Sequence, residues 1–240
     1  MALPKIVHPT FTVVLPSNNK EVQIRPFTVK EEKLLLIANS SKEFNDIFSA
    51  IRQVIINCVT TPDFNIDDCA LFDIEYLFIN LRAKSVNNII EVTVTDPDDE
   101  KEYSLKINLD DVKVDKSKIP NNKINFEDGS GIILRYPSYK SLDNLKNISK
   151  DLDEEQIADI VYKIYADCIE TIFNNDNVYS KKDFTQEEAV EYLNSISLTN
   201  FEKIKKFFND VPKVEYEVKY TNSLEKERSF KLSGINDFFT

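Results

Sequence analysis

The chain has 240 residues, 42% of them hydrophobic and 11% aromatic, enough for one large domain or two small ones with a real core. Its formal net charge of -11, from 41 acidic and 30 basic residues, opposes long-range attraction to nucleic acid or to an anionic membrane surface. No run of about 18 apolar residues offers a membrane span, and the start MALPKIVHPTF lacks the apolar segment of a secretory signal.

The first unit reads as a β-hairpin. Phe11, Val13 and Leu15 alternate with polar or smaller neighbours, Pro16-Ser17-Asn18-Asn19 makes a turn, and Val22 and Ile24 return on the same face. The stretch RPFTVKEEKLLLIANSS then opens a helix near Val29. Pro26 stops backward extension, and Thr28-Val29-Lys30-Glu31 fits a capping box in which Thr28 accepts the Glu31 amide and Glu31 accepts the Thr28 amide. Glu31 and Glu32 also suit the positive end of the helix dipole. On this reading Glu31→Gln is nearly silent, Thr28→Ala costs more, and Leu35→Ala costs most if that side chain is core.

A second helix carries Phe44, Ile47, Phe48, Ile51, Val54, Ile55 and Cys58 on one face. A third begins near Asp67 or Asp68, with Leu71, Ile74, Leu77, Phe78 and Leu81 along it and Arg82 and Lys84 near its end. Ile90, Val92 and Val94 then face Tyr103, Leu105, Ile107 and Leu109 in a second hairpin, whose tip DPDDEKE should be solvated. Ile124 and Phe126, the turn Asp128-Gly129-Ser130-Gly131, and Ile132, Leu134 and Tyr136 form a third extended region.

Asp153 caps a helix expected to carry Ile157, Ile160, Val161, Ile164, Cys168 and Ile172. Thr185-Gln186-Glu187-Glu188 and Thr199-Asn200-Phe201-Glu202 are two further capping boxes, the second opening a helix with Phe201, Ile204, Phe207 and Phe208 that Pro212 closes. Lys203, Lys205 and Lys206 read as its solvated face. Val214, Tyr216, Val218 and Tyr220 alternate as a strand, with Phe230 and Leu232 on its return. Strands that come as hairpins, not as alternating βαβ units, predict an α+β fold of antiparallel β-hairpins packed against several α-helices. No internal repeat and no linker is evident, so residues 1–240 read as a single domain with a soft boundary near 138–153.

The residues exclude several chemistries. Three glycines cannot build a phosphate-binding loop. His8, the one histidine, lies in a Pro-flanked arm away from any Ser-Asp partner. Cys58, Cys69 and Cys168 are far apart, odd in number and without CxxC spacing, so they read as reduced, buried thiols and not as a zinc site or disulfides. Asp96, Asp98, Asp99 and Glu100 lack the glycine of a calcium loop. No catalytic, cofactor-binding or metal-binding residues are assigned, and no cofactor is expected. At the chain end, Ile235, Phe238 and Phe239 put three large apolar groups within five residues, an expected partner-binding segment unless they pack into their own core.

Four stretches, LPSNNKEVQIRPFTVKEEKLLLIA, DIEYLFINLRAKSVNN, ILRYPSY and FEKIKKFFNDVPKVEYEVKY followed by LSGINDFF, together resemble the baseplate hub proteins of contractile-tailed, T-even-type bacteriophages. The resemblance runs in order along nearly the whole chain. It implies a non-enzymatic component of a phage baseplate hub, assembled in the host cytoplasm into the virion tail. The partners so implied are other hub or tail proteins, not nucleic acid or membrane. A hub assembly factor that leaves before completion is the alternative, and a cell-wall hydrolase a distant third. Some such proteins carry a cysteine pair in the hairpin after the LRAKSV helix; here Thr95, Asp96, Pro97 and Asp98 stand there, which removes that route to zinc.

Overall fold

The computed structural model describes residues 6–41, 43–116, 119–141 and 153–238. The fold is α+β, with small antiparallel sheets and helices. The chain divides into two compact units, one of residues 1–66, 72–115 and 213–240, the other of residues 67–71 and 116–212. These limits differ from the soft boundary read near 138–153, of which residues 142–152 lie outside the described set.

In the first unit, β1 (Phe11–Val14) and β2 (Glu21–Ile24) form a hairpin in which Phe11 faces Ile24 and Val13 faces Val22. Val13, Leu15, Val22 and Ile24 are all buried, as the alternation requires. Helix α1 (Val29–Ser41) is followed by α2 (Phe44–Cys58), which buries Ile51, Val54, Ile55 and Cys58. A 3-10 turn at Ile66–Asp68 precedes α3 (Leu71–Ser85). That helix buries Ile74, Leu77, Phe78, Ile79 and Leu81, and its buried Asp73 accepts bonds from the Ser17 amide and hydroxyl. Strands β3 (Ile89–Thr95) and β4 (Glu102–Asn108) pair in the expected register, Ile90 to Ile107 and Val92 to Leu105. The short β5 (Lys113–Val114), which has too few residues to show periodicity, pairs with Val214 and Glu215. It extends the long hairpin that closes the chain.

In the second unit, β6 (Lys123–Asn125), β7 (Gly131–Leu134), β8 (Ile169–Phe173) and β9 (Val178–Ser180) make a four-stranded sheet in that order. Gly131 is required by close approach: a Cβ there would stand 2.2 Å from the Ile124 carbonyl oxygen. Helix α4 (Glu154–Asp167) starts at a complete Asp153–Gln156 capping box but ends before Ile172, which lies on β8 and not on this helix as expected. The run Ile169-Glu170-Thr171-Ile172 is rich in β-branched residues, so strand preference wins once the helix stops. The buried side of α4 also differs from the expected one, for Ile157 is exposed while Ala166 is enclosed beside the half-buried Tyr162 and Tyr165.

Helix α5 (Gln186–Ser195) has the expected Thr185–Glu188 box, with both hydrogen bonds formed. Helix α6 (Leu198–Asn209) begins earlier than expected, capped by Ser197 and not by Thr199. Phe201, Ile204 and Phe207 complete this unit's core with Ile124, Ile132, Leu134 and Leu193. The two aromatic rows meet face to face, Tyr165 stacking on Phe208 with ring centres 4.1 Å apart. Strands β10 (Val214–Thr221) and β11 (Glu227–Ser233), in the first unit, pair Tyr216 with Leu232 and Val218 with Phe230.

A repeat hidden in the sequence emerges from the hydrogen bonds. Thirty-three positions separate Arg25 from Cys58, and the same number separate Arg135 from Cys168. In each unit the arginine ends a hairpin strand, and its amide donates to the carbonyl of that cysteine, at 2.9 Å and 2.8 Å. Each guanidinium donates to the carbonyl of the residue before the cysteine, Asn57 at 2.9 Å and Asp167 at 3.1 Å. The residue before the arginine pairs with the residue after the cysteine, Ile24 with Val59 and Leu134 with Ile169. The expectation of no internal repeat is therefore corrected: both units close a hairpin onto a helix C-terminus with one and the same arginine latch.

Candidate functional site

The opening of α1 is fixed by the first latch. Glu31 is buried, only 2% exposed, and both its carboxylate oxygens accept hydrogen bonds. Oε2 accepts the Thr28 amide at 2.8 Å and the Thr28 hydroxyl at 2.6 Å, while Oε1 accepts Arg25 at 3.2 Å. Only half of the expected capping box is therefore present. The Thr28 hydroxyl donates to the carboxylate and does not accept the Glu31 amide, because a buried carboxylate needs donors. Burial alone would raise the pKa of Glu31, but the Thr28 hydroxyl and amide together with Arg25 outweigh it and lower the value to about 2. A general base for neutral solution needs the opposite shift. The reading that Glu31→Gln is silent is corrected: this side chain is an ionised keystone.

Latched in this way, α1 meets α3 along an apolar groove of about 240 Å³. Phe27, Leu35 and Leu36 line one side, Phe78 and Val86 the other, with Glu32 and Arg82 among the lining residues. The Phe27 amide donates to Ser85 Oγ at 2.9 Å, which anchors the groove's entrance to the end of α3. Leu35 is half-buried and lines this groove, so it is not the core residue expected. The cause is periodicity. Leu34-Leu35-Leu36-Ile37-Ala38 is a run of five apolar residues, which wraps more than a full turn, so no single buried face can hold it. Leu36 and Ile37 are left 62% and 61% exposed, beside Val29 and Val86, which are also exposed.

The tip of the β3–β4 hairpin also differs from expectation. Asp96 is buried, not solvated. It accepts the Tyr220 hydroxyl at 2.7 Å and Asn222 Nδ2 at 3.3 Å, and pairs with Arg228 at 3.3 Å, all from the β10–β11 hairpin. Asp99 accepts the Tyr103 hydroxyl at 2.6 Å and the Ser223 hydroxyl at 2.7 Å. The Tyr220 bond above all holds the Asp96 carboxyl below the usual range, and the Tyr103 bond does the same for Asp99. The acidic loop clasps two hairpin tips together. Its only sequence signal was the matching pair of turns, DPDDEK and NSLEK, each with a left-handed glutamate, Glu100 and Glu225.

At the chain end, Ile235 opens a 3-10 turn, Ile235–Phe238, stitched by the Ser233 amide donating to Asp237 at 2.8 Å. Phe238 is fully buried. Phe239 lies outside the described residues. His8 lies in the arm before β1. The three cysteines are buried and none is in a disulfide among the described residues, and burial pushes Cys58 up to about 11 and Cys168 up to about 12. Among the described residues no three His, Cys, Asp or Glu side chains are grouped to hold a metal ion, and no helix is long and apolar enough to cross a membrane.

The carboxylates singled out above are thus bound up in holding the fold, and the exposed feature is an apolar ridge beside a groove, the chemistry of a protein contact surface. The chain belongs to the T4 bacteriophage base plate protein family, whose model matches residues 8–240. No curated protein and no solved structure matches it.

Proposed function

We propose that this base plate protein is a non-enzymatic structural component of the hub, assembled in the host cytoplasm into the virion tail through contacts with other hub or tail proteins. The observation that carries this reading is the ridge of Leu36 and Ile37 beside the α1–α3 groove, an apolar surface on a rigidly latched helix. The burial of Glu31 and its bonds to Thr28 and Arg25 support the absence of acid–base chemistry at this conspicuous motif. The C-terminal segment is a second proposed contact, with the buried Phe238 as its anchor in the fold and Ile235 and Phe239 flanking it in sequence. Quantitative mass spectrometry of purified particles tests the proposal. Presence at fixed stoichiometry supports a hub component; absence from particles that need the chain in order to form makes it an assembly factor that leaves.

A further inference from the structure

The three lysines of FEKIKKFF do not share one solvated face. Lys205 is neutralised by Glu202 at 2.6 Å. Lys203 and Lys206 instead line an open cleft of about 690 Å³ between α6 and β6, together with Lys123. The lining is wholly of the second unit. Its one carboxylate is Asp210, and neither Lys203 nor Lys206 makes an ion pair among the described residues. In a chain of net charge -11 this is a local inversion of sign. The buried Phe207 gives the cleft an apolar wall.

The neighbouring strand narrows the mode of binding. β6 is an end strand of its sheet, and among the described residues no other strand pairs with its outer edge. Lys203 Nζ donates to the outward carbonyl of Asn125 at 3.2 Å and to Asn200 Oδ1 at 2.9 Å. A lysine held over the edge in this way blocks strand addition. Recognition must therefore come from side chains. A long nucleic acid strand would run out of the cleft onto a surface of its own sign, whereas a short acidic segment stays within it.

We propose that this cleft takes an acidic segment of a partner protein, with carboxylates pairing to Lys203 and Lys206 and an apolar side chain resting against Phe207. The proposal rests on the hub reading only in that the partner is sought among tail proteins. The test is zero-length carbodiimide coupling of lysine to carboxylate during tail assembly, with linked peptides sequenced by mass spectrometry. The expected result is Lys203 or Lys206 joined to Asp or Glu of another tail polypeptide. Lys206→Glu should lower that yield at least tenfold with an unchanged melting temperature, while Lys205→Glu, an equal change of charge outside the cleft, leaves it intact. Links only to this chain's own sequence, no links at all, or equal losses in both variants would overturn the proposal. So would binding of a 20-nucleotide single strand more tightly than a synthetic peptide of alternating Glu and Leu. Such links in a protein absent from finished particles would retain the cleft and remove the hub reading.

Discussion

Replacing Glu31 by glutamine keeps the size of the side chain and removes its charge. In the folded chain the carboxyl titrates at about 2, against an ordinary value of 4.5. At about 1.36 kcal/mol per unit, that difference bounds the contribution of the ionised form at about 3 kcal/mol near neutrality. Arg25 keeps partial contact with water, its side chain 23% exposed, and a glutamine oxygen still accepts one Thr28 donor. A loss of about 2 kcal/mol remains, or about 4–8 °C in melting temperature for a chain of this length. The dependence on pH separates this from a mere packing defect. Because the folded value is depressed, the stabilisation is complete above pH about 5 and is lost as pH falls from about 4.5 toward about 2. Urea midpoints for Glu31→Gln and the parent at pH 7, 4 and 3, followed by far-UV circular dichroism, measure it. The gap should be more than halved by about pH 3. Equal midpoints at pH 7, or a gap that stays constant down to pH 3, would refute the latch argument.

The duplicated latch can be rebuilt: Glu31→Ser with Asn57→Asp copies the second unit's arrangement into the first, and the pair should recover at least half of the midpoint lost by Glu31→Ser alone. Asp96→Asn removes the anion under the Tyr220 hydroxyl and leaves Arg228 with Asp98 alone, so the melting temperature should fall by about 5 °C or more, with faster amide exchange at Asp98 and Ser223; unchanged exchange there counts against the clasp. Leu36→Glu with Ile37→Glu changes exposed positions only, so stability should hold within about 0.5 kcal/mol while incorporation into tails drops. Phe238→Ala opens a cavity in a filled site and should cost about 3–5 kcal/mol in urea unfolding; a cost below 1 kcal/mol would show that the end of the chain is only loosely seated.

Much of the architecture was legible because alternation and capping are local. The hairpin registers of Val13 with Val22 and of Ile90 with Ile107 follow from period-two patterns. The Thr185–Glu188 box is complete within four residues. What escaped depends on residues far apart in the chain. Nothing local at Asp96 announces Tyr220 or Arg228, 124 and 132 positions further on. The repeat was masked because the carboxylate moved. It is Glu31, six residues after the arginine, in the first unit; in the second it is Asp167, and Ser141 holds the position of Glu31 while donating to Asp167 at 2.7 Å. The Arg-to-Cys spacing survives in the sequence, with a hydroxyl residue three places after each arginine, Thr28 and Ser138, and a lysine five places after it, Lys30 and Lys140. The exposed ridge of α1 was not legible because a run of five apolar residues does not show which of them face the core.

That displaced carboxylate also constrains how such a pair of latches diverges. One guanidinium is served by one anion, and two different helices have come to supply it. A lineage passing from one arrangement to the other goes through a state with two carboxylates or with none. With none, a half-enclosed cation has lost its partner, a defect of about 2 kcal/mol on the scale worked out for Glu31→Gln. With two, the surplus anion still has a positive neighbour and water at the margin, since Arg25 and Arg135 are 23% and 27% exposed. Gain before loss is the passable order. Descendants caught midway should carry an acid at both positions around one arginine, and the reverse, an amide and a hydroxyl together, should be rare.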